Sequence, residues 1–142
     1  MAEAPLIWIV EDDALTQRIV SELLKKAGFI PVAFESAEKA LAVLRGCLHN
    51  GKYAGLPSLI LLDMLLPGMS GVDLIRLLKQ EEAWAKIPVV VMSVLSRQDN
   101  LVSESEAAGA FWVNKPVDAD HLIETVQEIL ASAGMRGNSL HG

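Results

Sequence analysis

Two apolar runs in this chain end in acid. Leu59-Ile60-Leu61-Leu62 leads straight into Asp63, followed by Met64-Leu65-Leu66 and the turn residues Pro67-Gly68-Met69-Ser70-Gly71. Earlier, Leu6-Ile7-Trp8-Ile9-Val10 ends in Glu11-Asp12-Asp13. Aspartate and glutamate are almost never fully buried unless paired, so a carboxylate at the exit of a buried run points to chemistry rather than packing. If the two runs are neighbouring strands, their acidic ends converge at one sheet edge. Two unit charges about 4 Å apart repel by about 4 kcal/mol at an effective dielectric near 20. Such a cluster needs a counter-charge or a raised pKa. A hard divalent cation with oxygen ligands, Mg²⁺ above all, answers that need and leaves coordination positions for phosphate oxygens. The plainer alternative is that Glu11, Asp12 and Asp13 cap the next helix. Asp13, directly ahead of Ala14-Leu15, suits that role best.

Both runs have the length and branched content of strands buried on two faces, which predicts a parallel sheet covered by helices. Apolar positions at Leu15, Ile19, Leu23 and Ala27 repeat at helical spacing and predict a first helix over 14–27, closed by Gly28. Ile30 to Phe34 is a second strand, placed at an edge by Pro31. A second helix runs from Ser36 to about Arg45 with Ala37, Ala40, Leu41 and Leu44 inward, followed by a surface loop to Pro57 in which His49 is exposed. The third strand is 58–62, and a third helix begins at Ser70 or Gly71 and reaches about Glu82. Val89 to Met92 is a fourth strand ending at Ser93; a helix over 97–108 and a fifth strand over 110–114, ending at Lys115-Pro116, follow. The last helix covers 118–131, with Leu122, Ile123, Val126, Ile129 and Leu130 inward. Five strand and helix alternations give an α/β, doubly wound, five-stranded parallel sheet with five helices. Domain organisation reads as one unit over 1–133 and a flexible tail over 134–142.

Composition narrows the function. The formal charge of −6 across 142 residues includes no basic stripe able to neutralise phosphates, so nucleic-acid binding through this chain is not expected. The lone Cys47 excludes an internal disulfide. Neither a signal peptide nor an apolar run of about 20 residues is apparent, which predicts a cytoplasmic protein without membrane contact. A protein partner is the expectation.

Four strand ends now carry polar groups: Glu11 with Asp12, Asp63, Ser93, and Lys115. In order and spacing they resemble the receiver domain of two-component response regulators, over nearly the whole chain from Leu6 to about Leu130. The matching pieces are Val10-Glu11-Asp12, the segment from Leu62 to Gly71, the strand ending in Ser93, and Lys115-Pro116. The resemblance implies a flavodoxin-like receiver fold. It implies that Asp63 accepts a phosphoryl group from a phosphohistidine on a sensor histidine kinase or histidine phosphotransfer protein. It further implies Mg²⁺ held by Asp12, Asp63 and the Leu65 backbone carbonyl, with Glu11 acting through water. Lys115 and the Ser93 hydroxyl would meet the phosphoryl oxygens, and the Lys115–Pro116 bond would be cis. Ser93 and Trp112 stand where the family couples phosphorylation to an output face, built from the helix at 97–108, the fifth strand and the last helix, that engages an output protein or a fused effector domain. Trp112 is bulkier than the tyrosine or phenylalanine usual there.

Several positions depart from the family pattern. Leu65 and Leu95, two residues beyond Asp63 and Ser93, put apolar groups where polar ones often orient hydrolytic water. Val94 is larger than the small residue common there, and Val117 replaces the phenylalanine frequent after Lys-Pro. Competing readings are a phosphorylation-independent scaffold and a Mg²⁺-dependent phosphohydrolase with an aspartyl nucleophile. The hydrolase would want a second acid at the place of Leu65. A flavin-binding protein would want a phosphate loop where Glu11-Asp12-Asp13 stands.

Overall fold

Along each central strand, successive side chains leave on opposite faces, and here both faces are apolar. The structure is a computed structural model and describes residues 4–49, 55–94 and 110–141, with side chains described at 4–48, 55–94 and 110–133. Within them lie β1 (Leu6–Val10), α1 (Ala14–Lys26), β2 (Ile30–Phe34), α2 (Ala37–His49), β3 (Leu59–Asp63), α3 (Gly71–Gln80), β4 (Val89–Ser93), β5 (Phe111–Asn114) and α4 (Ala119–His141). The strands form one parallel sheet in the order β2-β1-β3-β4-β5. This is the expected α/β, doubly wound, flavodoxin-like class, with four helices among the described residues. The expected helix over 97–108 and Leu95 lie outside them.

The alternation sorts the core into two layers. Trp8, Val10, Ile60, Leu62, Val89 and Val91 face α2 and α3, meeting Ala40, Leu41, Leu44, Leu74, Ile75 and Leu78. Ile7, Ile9, Leu59, Leu61, Val90 and Met92 face the other way, towards Val20 and Leu24 of α1 and Leu122, Val126 and Ile129 of α4. Each fully buried aliphatic side chain contributes about 1.5–3 kcal/mol relative to exposure. β2 is the exposed edge, and Pro31 sits in it opposite Ile7, where a missing N–H costs little.

Five expectations are corrected. The inward stripe of α1 is Val20 and Leu24, while Leu15 and Ile19 are 64% and 50% exposed. Two apolar columns stand one position, about 100° of helix rotation, apart, and the sheet takes the second. α2 continues to His49 instead of stopping near Arg45; Gly46 crosses open space, and Leu48 beyond it packs on the core. α3 ends at Gln80, not Glu82. β3 includes Asp63 itself, one residue beyond the strand read from sequence. α4 runs on to His141, and Ile129 is the last buried one among its described side chains, which reach 133.

Candidate functional site

The chain order reverses direction across the sheet between β1 and β3, the place where open α/β sheets gather ligands at their carboxyl edge. Register fixes what meets there. Val10 pairs with Leu62, so Glu11 and Asp63 leave the sheet side by side. Asp63 pairs with Met92 and Ser93 with Asn114, which brings Ser93 and then Lys115 onto the same edge. The Lys115 N–H donates to the Ser93 carbonyl at 2.8 Å, and the Lys115–Pro116 bond is cis.

Glu11, Asp12 and Asp63 converge: one carboxylate oxygen from each lies within 4.8 Å of the others. Glu11 is fully buried and Asp63 is 6% exposed, whereas Asp12 is exposed at the rim. Lys115 donates to Glu11 Oε1, and its ammonium lies 3.5 Å from Asp63 Oδ2. Burial pushes Glu11 above the usual carboxylate range; the hydrogen bond from Lys115 opposes this and the neighbouring Asp63 adds to it. For Lys115, burial works to lower the pKa. The hydrogen bond to Glu11 and the charges of Asp63 and Glu11 outweigh it and hold the ammonium above its ordinary value. The cleft therefore contains three hard oxygen donors and one fixed cation. That donor set fits an Mg²⁺ ion, which prefers carboxylate and carbonyl oxygen and keeps positions for water or phosphate.

The loop after Asp63 is drawn tightly around it. The Leu65 N–H donates to Asp63 Oδ1 at 3.2 Å, while the Leu65 side chain points outward, 49% exposed. Ser70 caps α3 by accepting from the Asp73 N–H, and Asp73 accepts in return from the Ser70 N–H. Gly71 is there for space, because a Cβ would lie 3.0 Å from the Asp63 carbonyl oxygen and 3.1 Å from the Met64 Cα.

Asp13 is turned away as the N-cap of α1, accepting from the Thr16 N–H at 2.9 Å and the Thr16 hydroxyl at 2.6 Å. Those hydrogen bonds hold its carboxyl below the ordinary range. Ser93 is 1% exposed at its strand end, and Val94 beyond it is 69% exposed. Trp112 pairs in register with Val91, is half-buried against the core, and donates its indole N–H to Asn114 Oδ1 at 2.9 Å.

Two contacts had no signal in the sequence. The Gln17 amide donates to the Glu11 carbonyl at 2.5 Å, fastening the acidic loop to α1. The Glu38 carboxylate accepts from the Met69 N–H at 3.3 Å across 31 positions of chain. Neither follows from periodicity, because each joins a side chain to a backbone group that only the tertiary fold brings near.

A sequence profile described as the response regulator receiver domain matches residues 7–127. The chain is 30% identical over 128 residues to the phosphate regulon transcriptional regulatory protein PhoB of Pseudomonas aeruginosa, covering 90% of this chain and 52% of that protein. It thus spans about half the length of that relative. The fold superposes on the receiver domain of a signal transduction histidine kinase from Syntrophus aciditrophicus with a TM-score of 0.78 and 28% identity, covering 91% of this chain and 92% of that one. It superposes on the chemotaxis protein CheY4 of Vibrio cholerae with a TM-score of 0.76 at 21% identity, covering 88% and 98%, a likeness of fold alone. With the acidic edge and the profile match over most of its length, the chain belongs to the response regulator receiver family.

Proposed function

We propose that the domain is a phosphorylation-controlled switch in which Asp63 is the phosphoacceptor. The observation that carries this is the convergence of Glu11, Asp12 and Lys115 on a nearly buried Asp63. An Asp63 carboxylate oxygen attacks phosphorus in line. The new O–P bond forms as the P–N bond to the donor imidazole breaks, and the imidazole keeps the electron pair. Lys115, held by Glu11 beside the acceptor, supplies a fixed cation to the incoming phosphoryl oxygens, and the Ser93 hydroxyl donates to one of them. Mg²⁺ bound by Asp12, Asp63 and the Leu65 carbonyl, with Glu11 through water, would neutralise charge on the transferred group.

The donor is a phosphohistidine of a sensor kinase or phosphotransfer protein. Leu15, Ile19, Leu65 and Val94 offer it exposed apolar side chains on elements that adjoin the acidic edge. The readout passes through Ser93 and Trp112 to an output protein or effector domain. A signalling module rather than a turnover enzyme is the better reading, because Leu65 stands where a phosphohydrolase would carry a second acid. We assign the receiver unit to 1–133 and a tail to 134–142, and a cytoplasmic setting. No helix among the described residues is long and apolar enough to cross a membrane.

The test is intact-mass analysis after incubation with phosphorylated kinases or acetyl phosphate. One phosphoryl group should be added, and it should be lost in Asp63→Asn and in the presence of a chelator. Labelling that persists in both controls would sink the assignment.

A further inference from the structure

The loop that follows Asp63 is anchored at both ends by its own neighbours: Leu65 N–H to Asp63 at one end, and the Ser70–Asp73 cap with Gly71 N–H to the Met64 carbonyl at the other. Among the described residues, its middle, Pro67-Gly68-Met69, shows no such local hydrogen bond. It leans instead on α2. Glu38, in the first turn of that helix, accepts from the Met69 N–H at 3.3 Å. Gly68 has a positive φ of 74°, and a Cβ there would collide with Glu38 Oε2. The carboxylate therefore sits in the space that any other residue at 68 would fill, and the turn is shaped around it.

We propose that Glu38 is a positioning residue: from α2 it clamps the Pro67–Met69 turn and so fixes the loop that carries Leu65 beside Asp63. The clamp acts through the backbone of the loop, and Glu38 itself stays exposed and outside the acidic cluster. A loop held at its centre offers its backbone carbonyls in one arrangement, so less ordering remains to be done when a cation binds. This rests on the reading of Asp63 and the Leu65 carbonyl as Mg²⁺ ligands.

The discriminating variants are Glu38→Ala, which removes the acceptor, and Glu38→Gln, which removes the charge and keeps an acceptor oxygen. Two quantities are read on the full chain: hydrogen exchange at the Met69 amide without Mg²⁺, and the Mg²⁺ dissociation constant by calorimetry. Loss of one exposed hydrogen bond should speed exchange and weaken Mg²⁺ binding by about threefold to tenfold in Glu38→Ala. Glu38→Gln should stay within about twofold of wild type, since its amide oxygen still accepts. A general electrostatic effect of removing a nearby negative charge would instead make the two variants alike, and that result overturns the clamp. Wild type that binds no Mg²⁺ overturns the reading of the acidic cluster and the clamp with it. Wild type that binds Mg²⁺ with an affinity unchanged in Glu38→Ala overturns the clamp alone.

Discussion

The Lys115 ammonium donates to Glu11 while lying 3.5 Å from Asp63 Oδ2, so one cation serves two carboxylates that leave adjacent strands. The arrangement ties the ends of β1, β3 and β5 together through charge. It also means that a divalent cation entering the cluster meets carboxylates already partly neutralised.

That sharing predicts opposite effects of one substitution. Lys115→Met leaves Glu11, whose side chain is 1% exposed, without its partner. Removing one member of a buried pair costs about 3–5 kcal/mol, so urea unfolding without Mg²⁺ should show a marked loss of stability. Saturating Mg²⁺ should restore much of it, because the cation replaces the missing charge, and Mg²⁺ affinity should rise. Phosphoryl transfer to Asp63 should nonetheless slow by about tenfold or more, the worth of a charge-assisted hydrogen bond in the transition state. Weaker Mg²⁺ binding in Lys115→Met would contradict the sharing of the carboxylates.

The two glycines Gly71 and Gly46 should respond in opposite ways to alanine. At Gly71 the new Cβ meets backbone atoms at 3.0 and 3.1 Å that have no flexible end to move, in the segment that follows Asp63. Gly71→Ala is expected to cost about 1–3 kcal/mol, as overpacking does. Gly46 lies inside α2 with nothing near its would-be Cβ. Gly46→Ala should stabilise by about 0.5–1 kcal/mol through helix propensity. Thermal unfolding of the two variants checks both signs.

How far the sequence carried can be seen in the same residues. The acidic strand ends were legible because Asp63 and Glu11 interrupt runs that otherwise contain only apolar side chains, and the register of β1 against β3 then brings them together. The phase of α1 was not, because Leu15-Ile19-Leu23 and Val20-Leu24 are equally apolar columns, and only the sheet beneath them decides between the two. The end of α2 was missed for a related reason: Gly46 is a stop signal in isolation, but Leu48 beyond it has core to pack on. Glu38 and Gln17 were invisible, since their partners are backbone groups set by the loop path.

The phase of α1 gives a stability test. Leu61 is fully buried between β1 and β4, and Leu61→Ala should cost about 2–5 kcal/mol. Leu15→Ala, at 64% exposure, should change stability by less than about 0.5 kcal/mol. A large loss from Leu15→Ala in chemical denaturation would mean that α1 packs through the other column.

Residue 65 bears on how long a phosphorylated state would last. Leu65 sends its N–H to Asp63 and its side chain outward, half exposed, beside the carboxylate that would carry the acyl phosphate. A leucine there can neither donate to nor accept from an attacking water, so water reaches the phosphorus without an oriented path. Replacing it with a side chain that holds such a water supplies about one hydrogen bond in the transition state, worth about tenfold in rate. Leu65→Asn should therefore shorten the lifetime of phosphorylated protein by about tenfold, measured as loss of labelled phosphate with Mg²⁺ present and no phosphatase. The fold should tolerate the change, because the backbone N–H to Asp63 is kept and the side chain is outside the core. Unchanged decay in Leu65→Asn, with folding and Mg²⁺ affinity intact, would show that water placement at residue 65 does not set the lifetime.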